Sequence, residues 1–221
     1  MKPGALFARF LILCLALMPA IHSCSIIAGK EDQNQDYRLS EQELAMLEPG
    51  DLILRQGFGV VSQAIREYLN EESGVSHVAL LSQNRRGEWQ VIQSISKRVS
   101  QVDGMQKQDL PSFMRESETH SIVVVRFKGY AAQPGLNLRV EQAARKYLER
   151  QVPFDHSFSL EDSSRFFCSE LVWRLFLEEA GVDIFEKMNL EERKERLSFA
   201  SFFDPDHFEV IINHHRLTNL R

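Results

Sequence analysis

Cys168 stands at the start of an amphipathic stretch, Phe-Phe-Cys-Ser-Glu-Leu-Val-Trp, and a thiol in that position can become a nucleophile. A helix N-terminus presents unpaired N–H groups and about half a positive charge, which favour a thiolate and can hold an oxyanion. Free cysteine titrates near ~8.5, and such settings lower it to roughly 3.5–7.5. A thiol catalyst also needs a base and a group that orients the base. His77 lies in Val75-Ser76-His77-Val78-Ala79-Leu80-Leu81, and Gln93 in Trp89-Gln90-Val91-Ile92-Gln93-Ser94-Ile95. Separated by the polar break Asn84-Arg85-Arg86-Gly87, these two apolar runs read as a β-hairpin. A turn near Arg85 or Arg86 puts His77 opposite, or diagonally beside, Gln93 or Ile95 on one face. Each residue also has an ordinary reading: a buried Cys is commonly a small hydrophobe, and a strand His a satisfied core residue.

The surrounding elements must hold these groups. Ser40 and Glu43 form a capping box for a short helix that stops at Pro49-Gly50, and Asp51-Leu52-Ile53-Leu54 reads as a strand. Val60, Val61, Ala64, Ile65, Tyr68 and Leu69 recur at helical spacing, as a core-facing stripe does. The nearly continuous apolar run Ile122 to Phe127 predicts a strand buried on both faces. Val140, Ala143, Ala144, Tyr147 and Leu148 mark a helix ending before Val152-Pro153. A loop through Phe154, Asp155 and His156 then leads to the Cys168 helix, whose stripe is Leu171, Val172, Leu175 and Phe176 and whose stop is Gly181.

The chain opens with Lys2 and Arg9 ahead of an apolar run, Phe10 to Ala20, too short for a bilayer that needs ~20 apolar residues. Residues 1–23 therefore read as a signal peptide, which removes Cys14. The sequence Ile21-His22-Ser23-Cys24 resembles the lipobox of bacterial lipoproteins, which implies lipidation of Cys24; ordinary cleavage near Ser23 is the alternative. Residues 24–38 form a lipidated N-terminus and polar tether, and residues 39–221 a single domain. With Lys2 and Arg9 gone, 24 basic residues face 31 acidic ones, a formal charge of −7. Such a surface offers no footprint for nucleic acid and no basic face for anionic lipid, so membrane attachment would come from acyl chains alone. With Cys24 acylated, Cys168 has no disulfide partner.

Five ordered strings between about residues 48 and 180 carry a family resemblance: Pro-Gly-Asp-Leu-Ile-Leu, Val-Ser-His-Val-Ala-Leu-Leu, Val-Ile-Gln-Ser, Pro-Phe-Asp and Phe-Phe-Cys-Ser-Glu-Leu-Val. Together they resemble the YiiX/YaeF-type branch of the NlpC-like papain-fold cysteine hydrolases. In ordinary NlpC-type enzymes the Cys helix precedes the His strand. Here His77 precedes Cys168 by 91 residues, the circularly permuted order. The resemblance implies an α+β papain-like fold, an antiparallel sheet packed against the nucleophile helix, with Cys168 as nucleophile and His77 as base. Where the branch often carries Glu, this chain has Gln93, which can orient an imidazole but cannot stabilise an imidazolium as a carboxylate would.

The remaining polar residues of these strings have structural readings. Asp51 caps or turns the chain after Pro49-Gly50, and Glu170 serves the first helical turn as an acid near the positive dipole end. Asp155 fits a turn or a cleft wall equally well, and His214-His215 reads as a solvated tail. Zinc on Cys168 and His77 would need further ligands, and neither Cys-x-x-Cys nor His-Glu-x-x-His occurs. No cofactor and no metal are expected.

The sequence thus points to an exported, lipid-anchored cysteine hydrolase of the cell envelope. The residue after Cys24 is Ser25, not Asp, which in Gram-negative lipoproteins means release to the outer membrane, facing the periplasm. Relatives imply an amide bond in cell-wall peptide as substrate, cleaved through an acyl-enzyme. Hydrolysis or transfer of a fatty-acyl ester or amide, such as a palmitate, is the alternative. A non-catalytic lipoprotein that binds peptide or acyl chain in the cleft is the reading from another class, and the oligomeric state is left open.

Overall fold

The computed structural model describes residues 36–69, 74–188 and 197–214; the expected signal peptide, Cys24, the tether up to residue 35 and His215 lie outside them. Six strands, β1 (Leu52–Arg55), β2 (His77–Gln83), β3 (Trp89–Ile95), β4 (Gly104–Asp109), β5 (Val123–Phe127) and β6 (Phe208–Asn213), form one sheet in the order β4-β3-β2-β1-β5-β6. Every neighbouring pair is antiparallel. Around it run α1 (Glu41–Leu44), α2 (Gly59–Leu69), α3 (Leu110–Arg115), α4 (Gly129–Ala132), α5 (Leu136–Glu149), α6 (Cys168–Ala180) and a 3-10 turn at Phe199–Phe203. This is the α+β architecture of an antiparallel sheet backed by the Cys168 helix.

Both faces of the sheet are covered, which is why its central strands carry unbroken apolar runs. Leu52, Leu54, Val78, Leu80, Ile92, Val123 and Val125 pack with Val140 and Ala144 of α5 and Leu171, Val172, Leu175 and Phe176 of α6. Their neighbours in sequence, Ile53, Ala79, Leu81, Val91 and Val124, point the other way and join Leu39, Leu47, Leu110, Phe113 and Met114. Each such side chain taken fully out of water contributes about 1.5–3 kcal/mol. Phe176 fixes the far end of α6, with ring centroids 4.9 Å from Phe127 and 5.8 Å from Phe208. The helix stops at Gly181 in a left-handed conformation, φ 67°, as its position in the sequence predicts.

Four expectations differ from the structure. The capping box of Ser40 and Glu43 is present, but α1 ends at Leu44, well short of Pro49. Val60, expected in the core-facing stripe of α2, is 80% exposed, because it lies in the first turn before the helix meets the core at Ile65. His214 is not a solvated tail: its Nε2 lies 2.6 Å from Glu43 Oε1 and its Nδ1 3.1 Å from the Tyr37 hydroxyl, so it ties the C-terminal strand to α1. Strands β4 and β6 were not expected. Residues Gly104–Asp109 run Gly-Met-Gln-Lys-Gln-Asp, with one core side chain, Met105, as suits an edge strand.

Candidate active site

His77 opens β2, and the ladders on its two sides end at different places. Toward β1 the register continues to Arg55↔His77. Toward β3 it runs from Gln83↔Trp89 only as far as Leu80↔Ile92, while β3 stays paired with β4 to Ile95↔Gly104. The strands β2 and β3 therefore part at their His77 and Ile95 ends. The chain entering α6 is laid against β3 there: Ser94 Oγ donates to the Phe166 carbonyl at 2.6 Å. Phe166 N–H donates in turn to the Pro153 carbonyl at 3.1 Å, and Asp155 N–H to that of Phe166 at 3.2 Å. This places Cys168 at the mouth of the opening, where the backbone N–H of Val78, the residue after His77, acts on its thiol.

His77 and Gln93 meet across the opening. Extending the ladder past Leu80↔Ile92 sets Gln93 diagonal to His77, and His77 Nε2 lies 2.7 Å from Gln93 Oε1. The other end of the carboxamide is committed, since Gln93 Nε2 donates to Gln108 Oε1 on β4 at 3.1 Å. With the oxygen turned to His77, Nε2 is the ring nitrogen that carries the proton, and Nδ1 keeps its lone pair. Both His77 and Gln93 are buried, and the imidazole rests by Phe113 with ring centroids 6.2 Å apart. His77 and Gln93 thus meet directly at one end of the sheet, and Cys168 lies at that same end beside the backbone of Val78, the residue after His77.

The electrostatics run against one expectation. The helix N-terminus is present, and the backbone N–H groups of Val78, Ser169 and Cys168 favour the thiolate, yet burial outweighs them and pushes the Cys168 thiol up to about 11. The positive end of α6 therefore does not lower the thiol into the range of exposed reactive cysteines. Burial also pushes His77 down to about 3; the Arg55 charge acts in the same direction and the Gln93 hydrogen bond opposes it. The resting pair is a neutral thiol and a neutral imidazole.

The neighbouring polar residues take structural roles. Asp155, wholly buried, accepts from Ser157 N–H at 2.9 Å, Ser157 Oγ at 2.6 Å and Ser159 N–H at 2.6 Å, which makes it the organiser of a turn. Asp51 accepts from Glu48 N–H at 2.8 Å and from Arg126 Nε and a terminal guanidinium nitrogen, each at 2.8 Å. Glu170, in the first turn of α6, takes Arg174 on Oε1 at 2.8 Å, and burial holds its carboxyl up at about 7. The loop before α6 is aromatic: Phe158, 43% exposed, lies tilted against Phe167, the residue before Cys168, at 5.3 Å between centroids and edge-on to Phe154 at 6.0 Å. Sequence reasoning missed Gln108, Ser94 and Arg55. Arg55 alone carried a visible signal, a lone cation ending the strand Leu-Ile-Leu-Arg.

Among the described residues, no group of three or more His, Cys, Asp or Glu side chains is placed to hold a metal ion. Beside His77 stand a carboxamide, Gln93, and a hydrocarbon ring, Phe113, rather than further His, Cys, Asp or Glu ligands.

A family model described as permuted papain-like amidase enzyme, YaeF/YiiX, C92 family, matches residues 46–212. Among solved structures, the crystal structure of a protein described as metalloprotein YiiX from Escherichia coli O157:H7 is similar at 22% identity and a TM-score of 0.59, covering 76% of this chain and 98% of that one. The likeness is one of fold. A comparison with curated proteins finds no significant match.

Proposed function

The chain belongs to the permuted papain-like amidase family, and from that premise we propose that it is a lipid-anchored envelope hydrolase that cleaves an amide bond in cell-wall peptide through a Cys168 acyl-enzyme. The observation that carries this reading is the relay Gln108–Gln93–His77, which leaves His77 Nδ1 as the basic nitrogen at the end of β2, where Cys168 meets Val78. As a substrate carbonyl is bound, the Cys168 proton passes to Nδ1 and Sγ bonds to the carbonyl carbon. The oxyanion is received by backbone N–H groups at the start of α6, where Phe167, the N-cap, provides no side-chain cap that would compete. The C–N bond then breaks as His77 returns the proton to the leaving amine. A water, deprotonated by His77, releases the acid and restores the thiol. Gln93 fixes the ring throughout and stays neutral.

The lipobox-like Ile21-His22-Ser23-Cys24 and the acidic mature surface support an acyl anchor at Cys24 over any electrostatic attachment, with Ser25 favouring the outer membrane. A second reading, hydrolysis or transfer of a fatty-acyl ester or amide, draws support from the aromatic wall of Phe154, Phe158 and Phe167 beside the nucleophile. Incubating the full chain with muropeptides and, separately, with acyl-lipids and separating the products decides between them. Release of a peptide amine supports the first reading, release of fatty acid the second, and no product from either refutes both.

A further inference from the structure

Arg55 is an expensive residue for its place. It ends β1 after three wholly buried side chains and is itself only 5% exposed. Taking a guanidinium out of water costs free energy that good ion pairs must offset, and here they are weak. The nearest carboxylate, Glu116, lies 3.6 Å from NH1, and more than half of its side chain is in solvent. NH1 donates to the Phe113 carbonyl at 3.1 Å, while Nε is buried without a hydrogen-bond partner. A hydrocarbon would pack there at less cost.

What the position does possess is His77. The two residues are register partners across β1 and β2, and both stand against the same ring: the guanidinium lies 4.2 Å over Phe113, whose centroid is 6.2 Å from the imidazole. We infer that Arg55 is a positioning residue for the base, holding a fixed positive charge beside His77 so that the imidazole stays unprotonated between turnovers and the Cys168 proton moves only when a substrate carbonyl is present to take up the charge. The other groups bearing on His77 agree with this role. From β3 it meets the neutral Gln93, backed by Gln108 of β4, and from α3 the Phe113 ring, with Glu116 just beyond partly offsetting Arg55, while the thiol of Cys168 from α6 lies one residue along β2, at the backbone of Val78. The buried Arg55 cation disfavours the imidazolium and contributes to the depressed basicity of His77, while the neutral Gln93 opposes it only through a hydrogen bond and adds no balancing charge.

The inference rests on the Cys168–His77 pairing proposed above, and its test separates the two. Ring titration of His77 by NMR and the pH dependence of Cys168 alkylation by iodoacetamide are measured on the full chain, for wild type and for Arg55→Met, Arg55→Lys, Glu116→Gln and His77→Ala. In the wild type the imidazole should stay neutral through pH 5. Arg55→Met should raise its midpoint by about one pH unit and speed alkylation at pH 7 several-fold, since a nearby charge acts on one protonation state only. Arg55→Lys should keep most of the wild-type behaviour, and Glu116→Gln should move the midpoint the opposite way from Arg55→Met. Should Arg55→Met fail to fold, the surface variant Glu116→Gln still decides. An unchanged midpoint in both variants, or shifts of the same sign, overturns the inference, as does an equal gain from Arg55→Met in the His77→Ala background. If His77→Ala alone leaves alkylation unchanged, the pairing itself is refuted.

Discussion

Gln93 turns its carboxamide oxygen to His77 Nε2 at 2.7 Å because its amide nitrogen is committed to Gln108 at 3.1 Å. The orientation of the imidazole is thereby set two strands away from it, by a residue on the edge strand. A lone carboxamide could present either end to the ring; one tied at its nitrogen presents only the oxygen.

Gln93→Ala should therefore lower kcat by about tenfold or more with little change in KM, since the ring loses its orientation and not its substrate contacts. Gln93→Glu should retain activity and raise the imidazole's affinity for a proton, moving the acid limb of the pH–rate profile upward. Gln108→Leu should give a smaller fall in kcat than Gln93→Ala. Steady-state kinetics across pH checks all three, and equal activity for Gln93→Ala and wild type would assign the orienting role elsewhere.

The raised thiol makes a prediction opposite to that of an exposed helix-start cysteine. Because burial holds Cys168 at about 11, its thiolate should be scarce at neutral pH. Iodoacetamide should alkylate it at pH 7 more slowly than a free cysteine model, with the rate climbing as pH passes 9. Fast alkylation at pH 6 would show a pre-formed thiolate and imidazolium.

Glu170 links helix α6 to pH. Its folded carboxyl titrates at about 7, above the ordinary 4.5, so the native state holds a proton that the unfolded chain has already lost. The stability this contributes is present below pH 4.5 and is lost as pH rises through about 7, on the order of 3 kcal/mol at about 1.4 kcal/mol per unit. Glu170→Gln should flatten the dependence of unfolding free energy on pH between about 4.5 and 7. Denaturant melts at several pH values measure the slope, and an unchanged slope would contradict the assignment.

The start of α6 depends on Ser94. Removing its hydroxyl leaves the buried Phe166 carbonyl without its 2.6 Å donor, and Ser94→Ala should cost about 1–3 kcal/mol of stability. The thermal midpoint should fall accordingly; no change would mean that the loop bond from Asp155 suffices.

Residues whose signals are local were legible in the sequence: Cys168 before an apolar stripe closed by Gly181, and His77 and Gln93 in two apolar runs joined by a polar turn. The antiparallel sheet and the Cys168 helix follow from such patterns together with the family strings. What stayed hidden depends on tertiary surroundings. The edge strand carrying Gln108 shows no alternation because little of it is buried. Arg55 reads as a strand-end charge until its register partner is known. The thiol shifts against the direction its helix-start position predicts, because a helix terminus is visible in sequence and the burial around it is not. His214 looked like a tail residue because its partners, Tyr37 and Glu43, lie more than 170 residues earlier.

In the proposed mechanism Cys168 takes up the acyl group with His77 as its base. Intact mass spectrometry of the full chain, quenched within seconds of mixing with muropeptides and with acyl-lipids, tests it most directly. A substrate acyl adduct should form on Cys168 in the wild type, none in Cys168→Ser, and a strongly slowed one in His77→Ala. Product release without any adduct, or an adduct that forms at the wild-type rate in His77→Ala, would contradict it.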